Sequence, residues 1–551
     1  MRKTIDKIKA IGLIVLTITI SSCDKDLDLA PLDQLSPATF WKSGDDWKYW
    51  ANNFYNGLGG HGNGTLDLNS DLSMGQGTNA VSAGNNLVPQ SDDAYSNPYG
   101  GIRSINIALA QYEEALPEIQ SEAERYVAEL RFFRAWTYFG LLKSYGGVIL
   151  VDKPLEINSE ELFAARSSRT AITDFIISDL DWASSRLPGY NELVGADIGR
   201  ISSEAALAFK SRVALFEGTW QKYHGGNESD RFLDMAINAA NAVVNSGAFE
   251  LFDDYGADSY YFLFLDEGEG SSETILARRY DAAINSTHNT SRWVDTQHAA
   301  PTKNLADLYL CTDGLPISDS PLFQGRATLS SEFEDRDWRM LGTIMKPGTV
   351  RNVDGDDIVQ QPAIGTGNGL TNTGYQSRKF LANGANATSG AQTYDFMAIR
   401  YAEVLLNLAE ALYEKDGNIL DADLNRTINL LRTRAGVANL TNAFVTVNSL
   451  DMLEEIRRER SVELAYEGFR FDDLRRWQTA ENVLPVALRG VQFEGTEFET
   501  EYPDVTVNVD GDGFIIADDA SVRQFAQKNY LFPIPTDEIQ LNENLEQNPG
   551  W

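Results

Sequence analysis

The sequence predicts a mostly α-helical protein in which a scaffold of paired helices carries a second, irregular lobe of loops and short strands. Several long blocks repeat apolar residues every three or four positions, the period of an amphipathic helix. Long Gly-, Asn- and Asp-rich blocks without a sustained period separate them, and such blocks in a compact protein are usually functional or disordered. Hydrophobic residues make up 43% of the chain, which is typical of a globular protein.

The first residues predict a lipoprotein signal peptide at 1–22. A short basic stretch precedes an uncharged apolar run at 10–20, which is too short to span a bilayer. Two serines then lead directly to Cys23, a pattern that resembles the bacterial lipoprotein signal in which the cysteine is acylated. An ordinary signal peptide with a chance cysteine is the alternative. Residues 23–56 follow as an acidic tether and an N-terminal segment.

The chain then alternates between irregular and helical blocks. Residues 57–101 are predicted as a Gly- and Asn-rich loop of the ligand lobe, and residues 285–396 as its main irregular part. Residues 102–284 and 397–551 are predicted as the two helical parts of the scaffold. Their helices are expected at 121–145, 171–187, 203–223, 231–245, 398–414, 422–435 and 450–467.

Local signals mark where some of these helices begin and end. Ser121 with Glu124 matches a capping box, Ser203 is expected to cap its helix, and Gly146 should end the helix that precedes it. The helix lengths and the alternation of small and large residues resemble tetratricopeptide units. A generic helical bundle is the alternative. The acidic block near the C-terminus adds a short alternation of valine with polar residues at 505–509.

Charge and composition exclude several classes of function. The formal net charge of −34 disfavours nucleic acid and anionic membrane surfaces as partners, although solubility alone also accounts for such a charge. Two cysteines and four scattered histidines predict no disulfide framework and no zinc site, and Cys311 is expected to be a small buried hydrophobe. We expect no cofactor. Calcium remains possible at the acidic clusters 354–357 and 510–513, where a tight turn is the ordinary alternative.

Four segments resemble the SusD/RagB family of outer-membrane nutrient-binding lipoproteins of Bacteroidetes. They are 129–151 (ELRFFRAWTYFGLLKSYGGVILV), 400–411 (RYAEVLLNLAEA), 462–477 (VELAYEGFRFDDLRRW) and the chain end NPGW. Together with the lipoprotein-like start, they span the chain in the order that the family shows. One departure is Ile149, where many relatives have proline, and it concerns only the rigidity of a local turn.

The resemblance implies a fold and a function. The fold is a SusD-like α-α superhelix of four tetratricopeptide-like pairs, with a ligand-binding lobe of loops and short strands. The function is that of an outward-facing lipoprotein of the outer membrane, which binds a glycan and delivers it to a SusC-like TonB-dependent transporter. One branch of the family binds peptides instead. The acidic residues after Cys23 resemble the surface-export signal of such lipoproteins.

The signature at 462–477 is interpreted as structural. Val462, Leu464 and Phe469 suit a buried helix face, and the Arg and Asp residues between 470 and 476 are expected to pair in a salt-bridged network. Paired charges of this kind satisfy one another and leave no free catalytic base.

Two segments of the irregular blocks combine what glycan binding needs, namely aromatic faces for the sugar ring and planar polar groups for its hydroxyls. The family places ligand contacts in equivalent regions but fixes no residue-level motif. The candidates are Asp93, Tyr95, Asn97, Tyr99 and Arg103 in the first segment, and Tyr280, Asn285, Asn289, Arg292 and Trp293 in the second.

For each candidate, packing or turn formation is the alternative to ligand binding. Polar residues flank Trp293, which favours exposure of its ring. Asp71 and Asn79 are expected to close turns, and the three tryptophans at 41, 47 and 50 are expected to belong to the scaffold.

The sequence therefore predicts a non-catalytic glycan-binding protein, and the acidity favours a neutral glycan such as a β-glucan. A peptide-binding member of the same family is the main alternative. A glycoside hydrolase is a remote one, because the chain shows neither an alternating strand–helix pattern nor a nucleophile elbow.

Overall fold

The computed structural model describes residues 40–62, 66–296, 299–353, 356–359, 364–365, 370–384 and 390–551. The predicted signal peptide, the lipidation residue Cys23 and the tether up to residue 39 lie outside the described residues. So do the first two residues of the acidic cluster at 354–357.

Paired helices form the N-terminal scaffold, as the apolar periodicity predicts. Ala128, Ala135 and Ala206 are fully buried, which lets neighbouring helices approach closely. The helices are α1 (Gly44–Asn52), α2 (Asp93–Glu114), α3 (Pro117–Tyr145), α4 (Arg169–Ser184), α5 (Ser203–Tyr223) and α6 (Ser229–Ser246).

Two of the predicted helix caps were wrong. Helix α3 begins at Pro117 rather than at a capping box at Ser121, because proline at the first helical position has no N–H to leave unsatisfied. The cap of α5 is Ser202 rather than Ser203, since its hydroxyl accepts a hydrogen bond from the Ala205 N–H at 3.1 Å. The predicted end of α3 at Gly146 is confirmed, with φ of 77°.

The second lobe consists of loops, short helices and two-stranded sheets. Its helices are α7 (Ser259–Phe262), α8 (Thr290–Asp295), α9 (Lys303–Leu308) and α10 (Trp338–Thr343). The strands are β1 (Ser73–Met74), β2 (Thr274–Arg278), β3 (Ala300–Pro301), β4 (Val350–Val353), β5 (Asp356–Val359), β6 (Phe396–Arg400), β7 (Leu488–Gln492) and β8 (Phe514–Asp518). Within the described residues the strands pair antiparallel, β1 with β3, β2 with β6, β4 with β5 and β7 with β8. The alternation at 505–509 contributes only an isolated bridge between Val509 and Ile515.

The C-terminal part returns to helices. They are α11 (Tyr401–Asp416), α12 (Asp421–Asn425), α13 (Ile428–Arg434), α14 (Asn442–Val447), α15 (Met452–Glu463), α16 (Arg470–Arg476), α17 (Ala480–Val483), α18 (Glu497–Glu501) and α19 (Thr536–Leu541). The helix predicted at 422–435 is broken in two at Thr427, whose φ of −133° and ψ of −97° are not helical. The helix predicted at 450–467 ends at Glu463, because Tyr466 turns back with φ of 68° and its N–H donates to Asp67 at 2.6 Å.

Each part of the fold has its own hydrophobic core. A large cluster joins the scaffold helices, and a second cluster lies within the irregular lobe around Tyr260, Tyr375 and Tyr394. Trp47 is fully buried and its indole N–H donates to the Ala108 carbonyl at 2.9 Å, so this scaffold prediction is confirmed. Cys311 is also fully buried, as predicted.

The signature segment is confirmed as a buried salt-bridge network. The Arg476 guanidinium pairs with Glu410 at 2.5 Å and with Asp473 at 2.9 Å, and Asp473 also accepts from Arg460 at 2.8 Å. Burial alone would raise the pKa of Glu410, but Arg476 and Arg460 lower it to about 2. The network therefore joins the signature helix α16 to α11 and α15.

Candidate functional site

The first group of predicted site residues lies on a helix and not on a loop. Helix α2 begins at Asp93, after the Asp92 carboxylate accepts a hydrogen bond from the Ala94 N–H at 2.9 Å. The predicted irregular block at 57–101 was therefore wrong for residues 93–101, which are helical. The signal that reveals the helix is the spacing of Tyr95, Tyr99 and Ile102, which the local Gly and Asn content obscures.

The side chains of this first group mostly hold the scaffold together. Tyr95 is 2% exposed, the Tyr99 hydroxyl donates to the Ile149 carbonyl at 3.2 Å, and Arg103 donates to the Leu155 carbonyl. Asp93 and Asn97 are exposed. The three larger residues line a cleft of 390 Å³ whose walls are mainly apolar, although Lys153 and Glu161 also line it. Such walls suit apolar groups better than the hydroxyls of a sugar.

The second group lies where β2 leads into α8. Asn285 is exposed in a left-handed turn with φ of 57°, next to the bridge between Asp281 and Ser286. The Asn289 side-chain oxygen accepts a hydrogen bond from the Gly390 N–H at 2.9 Å, and Arg292 pairs with Asp295 at 2.9 Å. The side chain of Arg292 remains 46% exposed, so part of its guanidinium faces solvent.

Trp293 and Tyr280 form the aromatic part of this region. Trp293 is partly exposed, and a Cβ placed on Gly62 would lie 4.0 Å from its ring. The Tyr280 hydroxyl accepts a hydrogen bond from the His61 N–H at 3.2 Å. A Cβ on Gly60 would lie only 2.6 Å from that hydroxyl, so a larger residue there would displace the Tyr280 side chain. We call Tyr280, Asn289, Arg292 and Trp293, together with residues 60–62, the Trp293 platform.

Within the Trp293 platform, His61 pairs with His288, which lies next to it. The rings of His61 and His288 stack with their centroids 4.1 Å apart, and His288 also contacts Tyr280 edge-on at 4.8 Å. Burial is the main reason that both pKa values are lowered, to about 4 for His288 and well below the ordinary value for His61. Both rings are therefore neutral at physiological pH. The sequence did not predict this pair, because residues 61 and 288 are far apart in the chain and no local pattern indicates that they meet.

We expect this pair to make the folded protein sensitive to mild acid. The unfolded histidine takes up a proton near pH 6.5, whereas folded His288 does so only near pH 4. Stability therefore falls as the pH drops between these values, by about 3 kcal/mol for this residue. Chemical denaturation across this interval should show a flatter pH dependence for His288→Phe than for the native protein. Parallel slopes in the two proteins would contradict the assignment.

The remaining predicted candidates have structural roles. Asn79 closes a turn, as expected, because its side-chain oxygen accepts from the Val81 N–H at 2.9 Å. Asp71 is buried and pairs with Arg470 at 2.8 Å. The Asp510 carboxylate accepts from the N–H groups of Asp512 and Phe514 at 3.0 and 3.1 Å, which is the acidic-turn alternative to calcium.

The described part of the chain shows neither a cluster of metal ligands nor a membrane-spanning helix. There, no three His, Cys, Asp or Glu side chains are grouped so as to hold a metal ion. No helix in the same ranges is both long and apolar enough to cross a bilayer.

Two family profiles match the chain, one in each half. The profile of the SusD family matches residues 272–551. A second profile, described as starch-binding associating with outer membrane, matches residues 53–215.

Individual proteins are similar over nearly the whole chain. SusD-like protein P38 of Formosa agariphila is 24% identical over 503 residues, which cover 84% of this chain and 90% of that protein. SusD-like protein P2 of the same organism is 23% identical, and the match covers 98% of this chain and 99% of that protein.

Solved structures share the fold. A SusD-like protein from Bacteroides fragilis superposes with a TM-score of 0.75 at 26% identity, covering 95% of this chain and all (100%) of that one. A SusD-like carbohydrate binding protein from the same organism gives a TM-score of 0.75 at 25% identity, covering 92% of this chain and 100% of that one. The predicted architecture of a helical scaffold with an irregular lobe is thus confirmed.

Proposed function

This chain belongs to the SusD family, and from that premise we propose that it binds a neutral glycan on the Trp293 platform and delivers it to a SusC-like TonB-dependent transporter. The similarity to a SusD-like carbohydrate binding protein supports glycan binding, and the starch-binding profile supports association with the outer membrane. The lipid anchor at Cys23 and the outward orientation remain parts of the proposal that rest on the sequence.

One observation carries the choice of site. The partly exposed Trp293 ring lies on α8 with the Asn289 amide and the half-exposed Arg292 guanidinium. An aromatic face accepts the apolar C–H face of a sugar, while planar amide and guanidinium groups reach its vicinal hydroxyls. The first group offers a poorer surface, because Tyr95 is buried and Tyr99, although also partly exposed, packs against the scaffold core, which Trp293 does not.

Net charge supports a neutral ligand. At −34 the protein repels polyanions, so a sulfated or uronic polymer would approach against an unfavourable field. A neutral hexose polymer such as a β-glucan meets no such barrier.

Affinity electrophoresis on a panel of polysaccharides tests the proposal. We expect a neutral glucan such as laminarin, included in the gel, to slow the native protein. Unretarded migration in every gel, combined with tight oligopeptide binding by calorimetry, would instead establish the peptide-binding alternative.

The same panel tests whether the protein is an enzyme. Purified protein incubated with each polysaccharide is expected to release no reducing ends over hours. Sustained release would replace the binding function with hydrolysis, the remote alternative.

A further inference from the structure

The cleft of 390 Å³ beside helix α2 has no part in the Trp293 platform. Helix α2 forms one wall and residues 149–162, which follow α3, form the other. The apolar side chains along it include Tyr99, Ile102, Ile149, Val151, Leu155 and Leu162. Its volume lies within the range of about 300–1,000 Å³ that small-molecule sites occupy. We call it the Tyr99 cleft.

Hydrogen bonds between the two walls fix the shape of the Tyr99 cleft. Three side chains of α2, namely Tyr99, Arg103 and Asn106, donate to main-chain carbonyls of residues 149–155. Because main-chain groups accept these bonds, the second wall is anchored independently of its own side chains. The cleft is therefore preformed, and a ligand does not have to order either wall.

Helix α2 also leaves open space in the Tyr99 cleft. Gly100 lines the cleft and is exposed, and a Cβ placed on it would meet no atom within 4 Å. Glycine in a helix interior is less stable than alanine, so the helix itself gains nothing from its presence. The space beside Gly100 thus belongs to the cavity and is not filled by packing.

The charges on the Tyr99 cleft balance one another. Lys153 pairs with Glu161 at 2.5 Å, and Arg103 and Glu538 add one charge of each sign. Burial, with a smaller contribution from Asp537, raises the pKa of the Glu538 carboxyl, so charge is poorly solvated on this side. A charged ligand would lose hydration here without meeting an excess of opposite charge.

We propose that the Tyr99 cleft binds an uncharged small molecule with an aromatic or branched aliphatic body. The apolar walls remove that body from water, which is favourable in proportion to the area buried. Arg103 is exposed beyond its bond to the Leu155 carbonyl, so its guanidinium offers a further donor to a carbonyl or hydroxyl oxygen of the ligand. Among the described residues, the cleft and the Trp293 platform share no lining residue, so this site is distinct from the proposed glycan site.

Two fluorescent probes with the same ring body test the preference for an uncharged ligand. N-Phenyl-1-naphthylamine is neutral and fluoresces strongly only in apolar surroundings, and 1-anilinonaphthalene-8-sulfonate adds one negative charge. Each is titrated into the mature protein. We expect saturable binding of the neutral probe, and binding about tenfold weaker for the sulfonated probe, because its charge loses hydration in the cleft.

Gly100→Leu is the variant that fills the Tyr99 cleft. Helical side chains lean toward the preceding turn, so the new side chain extends over Ser96, which also lines the cleft. Affinity for the neutral probe should fall at least about tenfold. Gly101→Leu is the matched control, because Gly101 lies on the same helix, does not line the cleft and also has open space for a Cβ. Both variants should fold, since leucine is the better helix former.

The outcomes separate this site from the glycan function. Loss of the neutral probe in Gly100→Leu alone, with laminarin binding unchanged in both variants, establishes the site. The proposal is overturned if the native protein shows no saturable binding of the neutral probe, if the two variants bind it equally well, or if the sulfonated probe binds more tightly. None of these three results affects the proposed glycan function. Loss of laminarin binding in Gly100→Leu alone would also overturn the proposal, because the cleft would then belong to the glycan site.

Discussion

Replacing Trp293 with alanine is expected to weaken glycan binding by about 1–3 kcal/mol, the range known for stacking of planar rings on aromatic side chains. That loss corresponds to a rise in the dissociation constant of about five- to 150-fold. Calorimetric titration with laminarin measures it directly. The fold should survive, because Trp293 is partly exposed and belongs to neither hydrophobic cluster among the described residues.

A second tryptophan provides the matched control for this prediction. Trp182 on α4 is also partly exposed, and its ring packs against Arg131 and Arg186 at 4.7 and 4.1 Å, on the scaffold. Trp182→Ala therefore removes a partly exposed ring, one that packs on the scaffold core, without touching the Trp293 platform. Trp293→Phe should recover part of the lost affinity, since a smaller aromatic face remains.

An unchanged affinity of Trp293→Ala for laminarin would also be informative. If Trp293→Ala binds laminarin as tightly as the native protein and gives the same circular dichroism spectrum, the ring only packs against Gly62. The site would then have to be sought elsewhere in the irregular lobe.

Helix positions could be predicted where a periodic pattern runs without interruption. The apolar spacing in α5 gave both of its ends, Ser203 and Tyr223, although the cap was placed one residue too late. Helix α2 was partly missed because Asn97, Pro98 and two glycines lower its helix propensity, while burial of Tyr95 and Ile102 against the scaffold overrides that preference. The local sequence does not show that burial against the scaffold outweighs this low helix propensity.

The arrangement of the candidate site could be predicted only in part. Sequence indicated residues 280–293, whose aromatic and planar polar side chains lie close together along the chain. It gave no sign that residues 60–62 complete the platform, because the contacts between Gly60 and Tyr280 span more than two hundred positions. The same distance hid the stacked pair of His61 and His288.

Among the substitutions proposed, removal of the buried Glu463 carboxylate should lower the free energy of unfolding the most. Glu463 is fully buried and pairs with Arg339 at 2.9 Å, with Arg400 at 2.7 Å and with Arg434. Burial alone would raise its pKa, but these three guanidinium groups hold the pKa of Glu463 well below its usual range. The carboxylate is therefore charged in the folded state at every physiological pH.

Glu463→Ala is expected to lower the free energy of unfolding by about 3 kcal/mol, because it removes a buried negative charge that three buried arginines share. Each arginine keeps another carboxylate partner, so the network is weakened but not emptied of anions. Glu124→Ala, which removes only the exposed pair with Arg186, should cost at most about 1 kcal/mol. Urea denaturation of both variants and the native protein makes the comparison. Equal losses in the two variants would contradict a special role for the buried network.

Acid provides an independent test of the same carboxylate. The unfolded state protonates Glu463 near pH 4.5, whereas the folded state keeps it ionised to lower pH. Its stabilising contribution is therefore complete above about pH 4.5 and is lost as the pH falls below that value. Glu463→Gln keeps the shape of the side chain but cannot ionise, so its unfolding free energy should fall less steeply than that of the native protein below pH 4.5. Because the three arginines come from α10, β6 and α13, loss of this one charge should loosen the junction between the irregular lobe and the C-terminal helices.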